Sequence, residues 1–183
     1  MRLSERLADR RVLLTGVTGF VGEALLHRLL AEFPRTRIVA LARPKGSLTA
    51  RARMEQVLRK PVFESVRTQY GENGEQAEPA AILDDRIEVL EGDLVDLPPL
   101  PSDVDVVVHC AGDVSFDPPI HEAFETNVFG SQRLLAALRE AGASPHYVQI
   151  STAYVAGRRR GAIIEGPVDH DVDWRDEARW GQA

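Results

Sequence analysis

Short apolar, β-favouring runs alternate along this chain with stretches whose apolar positions recur at helical spacing. Arg11–Thr15 reads as a first strand, and Ala24, Leu25, Leu26, Leu29, Leu30 and Phe33 set a helical period over Val21–Phe33. Arg37–Ala42 reads as a second strand followed by a helix over Leu48–Leu58, Arg86–Leu90 as a third strand and Val104–Cys110 as a fourth. A long helix over His121–Glu140 and a fifth strand over Tyr147–Ser151 complete the pattern. Val106-Val107-Val108 is apolar without alternation, as expected of a strand covered on both faces. This alternation predicts an α/β fold, a Rossmann-like doubly wound parallel sheet with right-handed crossovers. The stretch Tyr70–Pro79 is polar and holds Gly71, Gly74 and Pro79, so a solvated insertion is expected at about 70–80. Pro98-Pro99-Leu100-Pro101 makes a stiff connector. The tail over 158–183 holds acids and both Trp residues without a clear period.

At 183 residues the chain is of one-domain length, and 44% hydrophobic with 27% charged residues reads as globular. No apolar run approaches a membrane span, and the charged N-terminus has no signal-peptide core. Cys110, the only cysteine, reads as a small reduced core residue, which fits a cytoplasmic setting. No Cys/His cluster has metal-ligand spacing. The net charge of −6 argues against general nucleic-acid binding. It hides an asymmetry: residues 1–70 carry 14 Lys and Arg against 6 Asp and Glu, whereas residues 71–183 carry 8 against 22. The N-terminal part thus offers positive potential to a phosphate-bearing ligand.

The chemistry centres on Thr15-Gly16-Val17-Thr18-Gly19-Phe20-Val21-Gly22, between the first strand and the first helix. Gly16 permits the tight turn, Gly19 lets backbone approach a pyrophosphate, and Gly22 lets helix and sheet pack closely. The helix N-terminus then favours the anion. After the second strand, where an acid would accept the 2′-hydroxyl of NAD, the chain reads Arg43-Pro44-Lys45. Two cations there predict NADP(H), with the Arg43 guanidinium forking phosphate oxygens and Lys45 adding a point charge. Arg53, in the next helix, is a further candidate for that phosphate. Asp93 either receives the adenine amino group or caps a turn. Ala111 and Gly112 are small enough for a cofactor to pass over the backbone, and His109 reads as a structural strand-end residue. Ser151 and Thr152 either donate a hydrogen bond to a carbonyl being reduced or cap locally. Arg158-Arg159-Arg160 reads as a solvated loop, with coenzyme A phosphates or an acidic carrier as the alternative.

Together the stretches TGVTGFVGEALLHRLL, LARPKGSLTARARMEQVLRKPVFESVR, EGDL, HCAGDVSFDPPIHEAFETNVFGSQRLL and QISTAYV resemble the fatty acyl-CoA reductases, the male-sterility-type NAD(P)-binding domain of the extended short-chain dehydrogenase/reductase superfamily. The resemblance implies an NADPH-dependent oxidoreductase that reduces fatty acyl thioesters, on coenzyme A or a carrier, to aldehyde or alcohol. It places the family's glycine motif on Gly16, Gly19 and Gly22, its phosphate-selecting Arg on Arg43, its acidic adenine contact on Asp93 and its helix-borne Asn on Asn127, with Ser151 or Thr152 catalytic; Thr18, Phe20, Val21, Lys45, Arg53, Leu94, Ala111 and Gly112, read from the residues themselves, complete the expected cofactor site. The family's Tyr-x-x-x-Lys pair has no good counterpart. Lys45 and Lys60 lie far upstream, and Tyr154-Val-Ala-Gly-Arg158 imitates it with a permanent cation. Residues 1–183 are therefore expected to be one NADP(H)-binding domain, truncated after the fifth strand and forming the cofactor-binding portion of a longer reductase. Rival readings are another extended short-chain dehydrogenase or epimerase, and a non-catalytic NADP(H)-binding regulatory module. Loss of a partner helix would uncover some of Phe124, Val128, Leu134, Leu135 and Leu138 and favour self-association through helix 121–140.

Overall fold

Val12, Leu13, Leu14 and Thr15 of β1 (Arg11–Thr15) are all buried, because this strand lies mid-sheet with helices on both faces. The computed structural model describes residues 2–115, 118–152 and 160–166. A single helical turn, α1 (Leu3–Arg6), precedes β1. Then follow α2 (Phe20–Glu32), β2 (Arg37–Ala42) and α3 (Ala50–Leu58). A 3₁₀ turn (Pro61–Phe63), α4 (Glu64–Tyr70) and α5 (Pro79–Arg86) lead to β3 (Ile87–Glu91). β4 (Val106–His109) is followed by a helical run of three parts, α6 (Ile120–Ala123), a π-helical segment (Phe124–Phe129) and α7 (Gly130–Glu140), and then by β5 (His146–Gln149).

The five strands are parallel in the order β3-β2-β1-β4-β5. Leu13 stands in register with Val39 on one side and Val107 on the other. Alternate residues of each strand feed two cores. On one face Val12, Leu14, Ile38 and Ala40 pack with Leu26 and Leu30 of α2, Met54 and Leu58 of α3, and Phe63, Val66, Ile82 and Leu83. On the other, Leu13, Val39, Leu41 and Val107 pack with Leu134 and Leu138 of α7. Each fully buried Leu of these layers contributes about 1.5–3 kcal/mol of transfer free energy.

The expected strands and long helices are present, with shifted ends. The helix after β2 begins at Ala50 rather than Leu48, because Lys45 and Leu48 exchange backbone hydrogen bonds in a turn and Thr49 caps the helix, accepting from Ala52 N at 3.2 Å. The fourth strand is shorter than Val104–Cys110, because the Cys110 amide donates to the Thr15 hydroxyl instead of to a strand partner. The fifth strand ends at Gln149, leaving Ser151 beyond it. Arg86 closes α5 rather than opening β3: its buried guanidinium donates to the carbonyls of Phe33 and Thr36, at 2.8 and 2.6 Å, beyond the end of α2. Of the apolar residues on the long helix, Leu134 and Leu138 are buried against the sheet, Phe124 and Val128 are half-buried, and Leu135 is 45% exposed. No helix among the described residues is long and apolar enough to cross a membrane.

Candidate functional site

The chain runs from β1 outward through β2 to β3, then crosses back to place β4 and β5 on the other side of β1. The carboxyl ends of β1 and β4 therefore flank a topological switch point, where open α/β sheets bind ligands. The glycine turn lies there. Gly16 has φ +67°, and a Cβ on it would fall 2.7 Å from the Ala111 amide nitrogen and from the Cys110 carbonyl carbon. A Cβ on Gly22 would lie 2.1 Å from the Gly16 carbonyl oxygen, so α2 packs on the turn with no room for a side chain. Gly19 precedes α2 with φ −94°, in extended backbone, and its open side faces solvent. No side chain caps this helix N-terminus, and Phe20 and Val21 of its first turn are exposed. The free N–H groups and unblocked approach are what a dinucleotide pyrophosphate requires.

The loop after β2 presents exposed Arg43 and Lys45, with Gly46 at φ +59° closing the Lys45–Leu48 turn. Arg53 reaches back from α3, donating to the Arg43 carbonyl and to the Thr18 hydroxyl, the latter at 3.2 Å. It thereby joins the basic loop to the glycine turn. Glu91, at the end of β3, is a further residue of this region that the sequence pattern does not single out. Its carboxylate accepts from the Ala50 amide at 2.7 Å and so sits at the N-terminus of α3. Its position as the first residue of the EGDL segment was the available signal.

Of the two readings of Asp93, the structure displays the turn cap. Its Oδ1 accepts from the Val95 and Asp96 amides at 2.8 and 2.9 Å. Leu94 is buried against α7, where Gly130 allows close approach: a Cβ there would meet the Leu94 Cβ at 2.8 Å.

At the end of β4 lies a chain of hydrogen bonds whose proton positions can be assigned. Ser131 donates to the Asn127 carbonyl at 2.9 Å, so its oxygen accepts from His109 Nε2 at 3.1 Å. With the proton on Nε2, His109 Nδ1 accepts from the Thr15 hydroxyl at 2.6 Å. The Thr15 oxygen in turn accepts from the Cys110 and Ala111 amides, both at 3.1 Å. His109 is fully buried, and burial lowers its pKa. Burial likewise pushes up the Cys110 thiol, and raises Tyr147, whose ring centroid lies 6.1 Å from that of His109, to about 12. Asn127, in the π-helical segment, clamps one backbone residue from both sides. Its Oδ1 accepts from the Asp113 amide at 2.7 Å and its Nδ2 donates to the Asp113 carbonyl at 3.0 Å. The Ser115 hydroxyl and amide donate to the Asp113 carboxylate and lower its pKa.

Ser151 and Thr152 are exposed just beyond β5, where the Ile150 amide donates to the His109 carbonyl at 2.9 Å. The structure thus gathers Gly16, Gly19, Gly22, Ala111 and Gly112 at one turn, and joins Thr18, Arg43 and Arg53 beside it. Tyr154, Arg158 and Arg159 lie outside the described residues. Lys60 pairs with Glu23, and no metal-binding cluster occurs among the described residues.

A glycine turn at the switch point of a parallel sheet defines a dinucleotide-binding domain of the doubly wound class. The chain belongs to the NAD-binding domain family described as male sterility protein, whose model matches residues 14–180. It is 28% identical over 187 residues to fatty acyl-CoA reductase 1 of Gallus gallus, covering 96% of this chain and 36% of that protein. It is 31% identical over 149 residues to fatty acyl-CoA reductase 2 of Mus musculus, covering 80% of this chain and 28% of the relative. It spans about a third of the length of these curated relatives. Among solved structures, the terminal R domain from the myxalamid PKS-NRPS biosynthetic pathway superposes with a TM-score of 0.65 at 24% identity, over 95% of this chain and 44% of that one. UDP-glucuronic acid 4-epimerase from Bacillus cereus, in complex with NAD, gives 0.59 at 20% identity, over 94% and 50%. These two likenesses establish the fold.

Proposed function

We propose that this chain is the cofactor-binding portion of an NADPH-dependent reductase of fatty acyl thioesters. The observation that carries the reading is the pairing of the glycine turn with a cationic loop: Arg53 bonds at once to Thr18 of the turn and to the Arg43 carbonyl. The turn fits the cofactor on physical grounds. The Cβ positions of Gly16 and Gly22 are filled by backbone, while Gly19 and the uncapped start of α2 stay open to an anion. Arg43, Lys45 and Arg53 would hold a 2′-phosphate, and no acid among the residues of that loop competes for a ribose hydroxyl. Glu91, engaged by the Ala50 amide, sits at the N-terminus of α3. Ala111 and Gly112 would pass beneath the cofactor, and Asn127 holds the Asp113 backbone beside them.

Bound NADPH supplies a hydride for reduction of a carbonyl. The chain's own contribution is to fix the cofactor and to offer Ser151 or Thr152 as a hydroxyl donor to the reacting oxygen at the carboxyl edge of the sheet. The acyl thioester, on coenzyme A or a carrier protein, is inferred from the fatty acyl-CoA reductases to which the chain is similar. A calorimetric titration with NADPH and NADH tests the proposal. Tight NADPH binding with NADH weaker by about tenfold or more supports it, since a lost charge-assisted pair costs about 1.5–3 kcal/mol. Equal affinity for both overturns the phosphate assignment.

A further inference from the structure

Thr15 precedes the glycine turn and Asn127 belongs to the helical run beyond β4, and the two are linked through one imidazole. The proton assignment leaves no slack. Thr15 Oγ1 accepts two amide protons and donates its own to His109 Nδ1, so both acceptor positions and the donor are used. Ser131 accepts from His109 Nε2 and spends its own proton on the Asn127 carbonyl. The Cys110 and Ala111 amides held by Thr15 are the same backbone that forms the floor under Gly16. The Asn127 side chain fixes Asp113 two residues further on.

We infer that His109 is a positioning residue: as a neutral Nε2–H imidazole it splices the glycine turn to the Asn127 segment, and dinucleotide affinity falls when it takes a proton. This rests on the dinucleotide reading of the site. A proton on Nδ1 turns that atom from acceptor to donor. The Thr15 hydroxyl must then rotate and has no acceptor for its own hydrogen, while its oxygen faces three donors. The tie between β1 and the floor of the turn loosens, and the backbone that approaches the pyrophosphate loses its fixed position.

The titratable and charged groups around His109 among the described residues come from each neighbouring element. From β5 the neighbour is Tyr147, which stays neutral, and from β4 it is the Cys110 thiol, raised by burial. From β1 the partner is Thr15, which does not titrate. On the helical run, the charges flanking Ser131 are Glu125 and Arg133, paired with each other at 2.6 Å. The loop carboxylate is Asp113, engaged by Ser115. Burial alone lowers the His109 pKa, consistent with an imidazole kept neutral.

The test compares the full chain with His109→Gln, whose amide offers an acceptor and a donor but no titration. Calorimetric titrations with NADP⁺ are run at about pH 8 and about pH 5.5; ionisation of the ligand's own 2′-phosphate affects both proteins alike. The wild-type dissociation constant is expected to rise on acidification by more than that of the variant, because only the wild type bears the cost of a charged imidazole. Parallel profiles overturn the inference. Should His109→Gln fail to fold, nitrogen-15 NMR of the wild-type histidines decides. An Nε2–H tautomer for His109, with a protonation midpoint lowered further by saturating NADP⁺, supports the role. An Nδ1–H tautomer, or a midpoint indifferent to NADP⁺, overturns it. Absence of NADP⁺ binding by the wild type at about pH 8 sinks the cofactor reading and with it the positioning role, even if the tautomer is found.

Discussion

The guanidinium of Arg53 donates to the Thr18 hydroxyl at 3.2 Å, so a residue from the second crossover helix steadies the turn that begins the first. The same guanidinium also donates to the Arg43 carbonyl. One side chain therefore ties the basic loop to the glycine turn. Arg53→Ala should weaken NADPH binding both by removing a cation and by freeing the Arg43 loop. Arg43→Ala should cost NADPH about tenfold to a hundredfold and NADH little, since a charge-assisted pair is worth about 1.5–3 kcal/mol. Calorimetric titration of the two variants against both dinucleotides checks this.

Gly16→Ala combines a left-handed backbone with a Cβ 2.7 Å from the Ala111 nitrogen. The φ of +67° alone costs on the order of 1–3 kcal/mol in a non-glycine residue. The backbone neighbours of that Cβ cannot step aside as a flexible side chain would. Loss of at least about 2 kcal/mol is expected in urea unfolding, together with loss of dinucleotide binding. Gly46→Ala is the control: its φ is similar, at +59°, but nothing lies within 4 Å of its Cβ, so its penalty should be the backbone strain alone.

Acid should destabilise the fold in two windows. Burial lowers the folded pKa of His109, so the unfolded chain binds a proton first. That contribution is complete above about pH 6.5 and is lost as pH falls toward the lower folded value. Burial raises Asp105, but the Arg11 amide and the Arg10 guanidinium outweigh it and leave the carboxyl below its usual value. Its contribution is complete above about pH 4 and fades below. Melting temperature against pH should thus fall first below about pH 6.5, and His109→Gln should flatten that first limb while leaving the second.

Arg86→Met should destabilise by about 1–3 kcal/mol, because the buried Thr36 carbonyl loses the guanidinium that donates to it and the Phe33 carbonyl keeps only the Thr36 amide. Arg86→Lys should recover part of this at most, since an ammonium cannot fork two carbonyls and lie against the Tyr70 ring, 5.4 Å from the guanidinium carbon, at once. Chemical denaturation of the two variants separates the geometry from the charge.

What the sequence disclosed and what it hid have physical causes. β1 and β2 were legible to the residue because a strand buried on both faces shows as an unbroken apolar run. The glycine turn was legible because steric need dictates residue type there. The segment from Pro61 to Arg86 shows no helical period in the sequence. Its helices α4 and α5 have 7 and 8 residues, too short for a period to emerge, and they are held by tertiary burial of Val66, Ile82 and Leu83. The π-helical segment is hidden for a different reason: Phe124–Phe129 has a helical composition, and a single turn of wider hydrogen bonding leaves no periodic mark of its own. His109 is legible as a structural strand-end residue, and it does end β4, while its partners Thr15 and Ser131 stand 94 and 22 residues away, beyond any local pattern.

The sheet order also sets a sequence of events during synthesis. β1, β2 and β3 are neighbours along the chain and can pair while the rest is still being made. The Thr15 hydroxyl, however, meets its partners only at His109, Cys110 and Ala111. A nascent chain that has not yet delivered those residues carries a glycine turn with no floor beneath it. The nucleotide site is therefore completed late, by the long-range closure that also seats β4 beside β1.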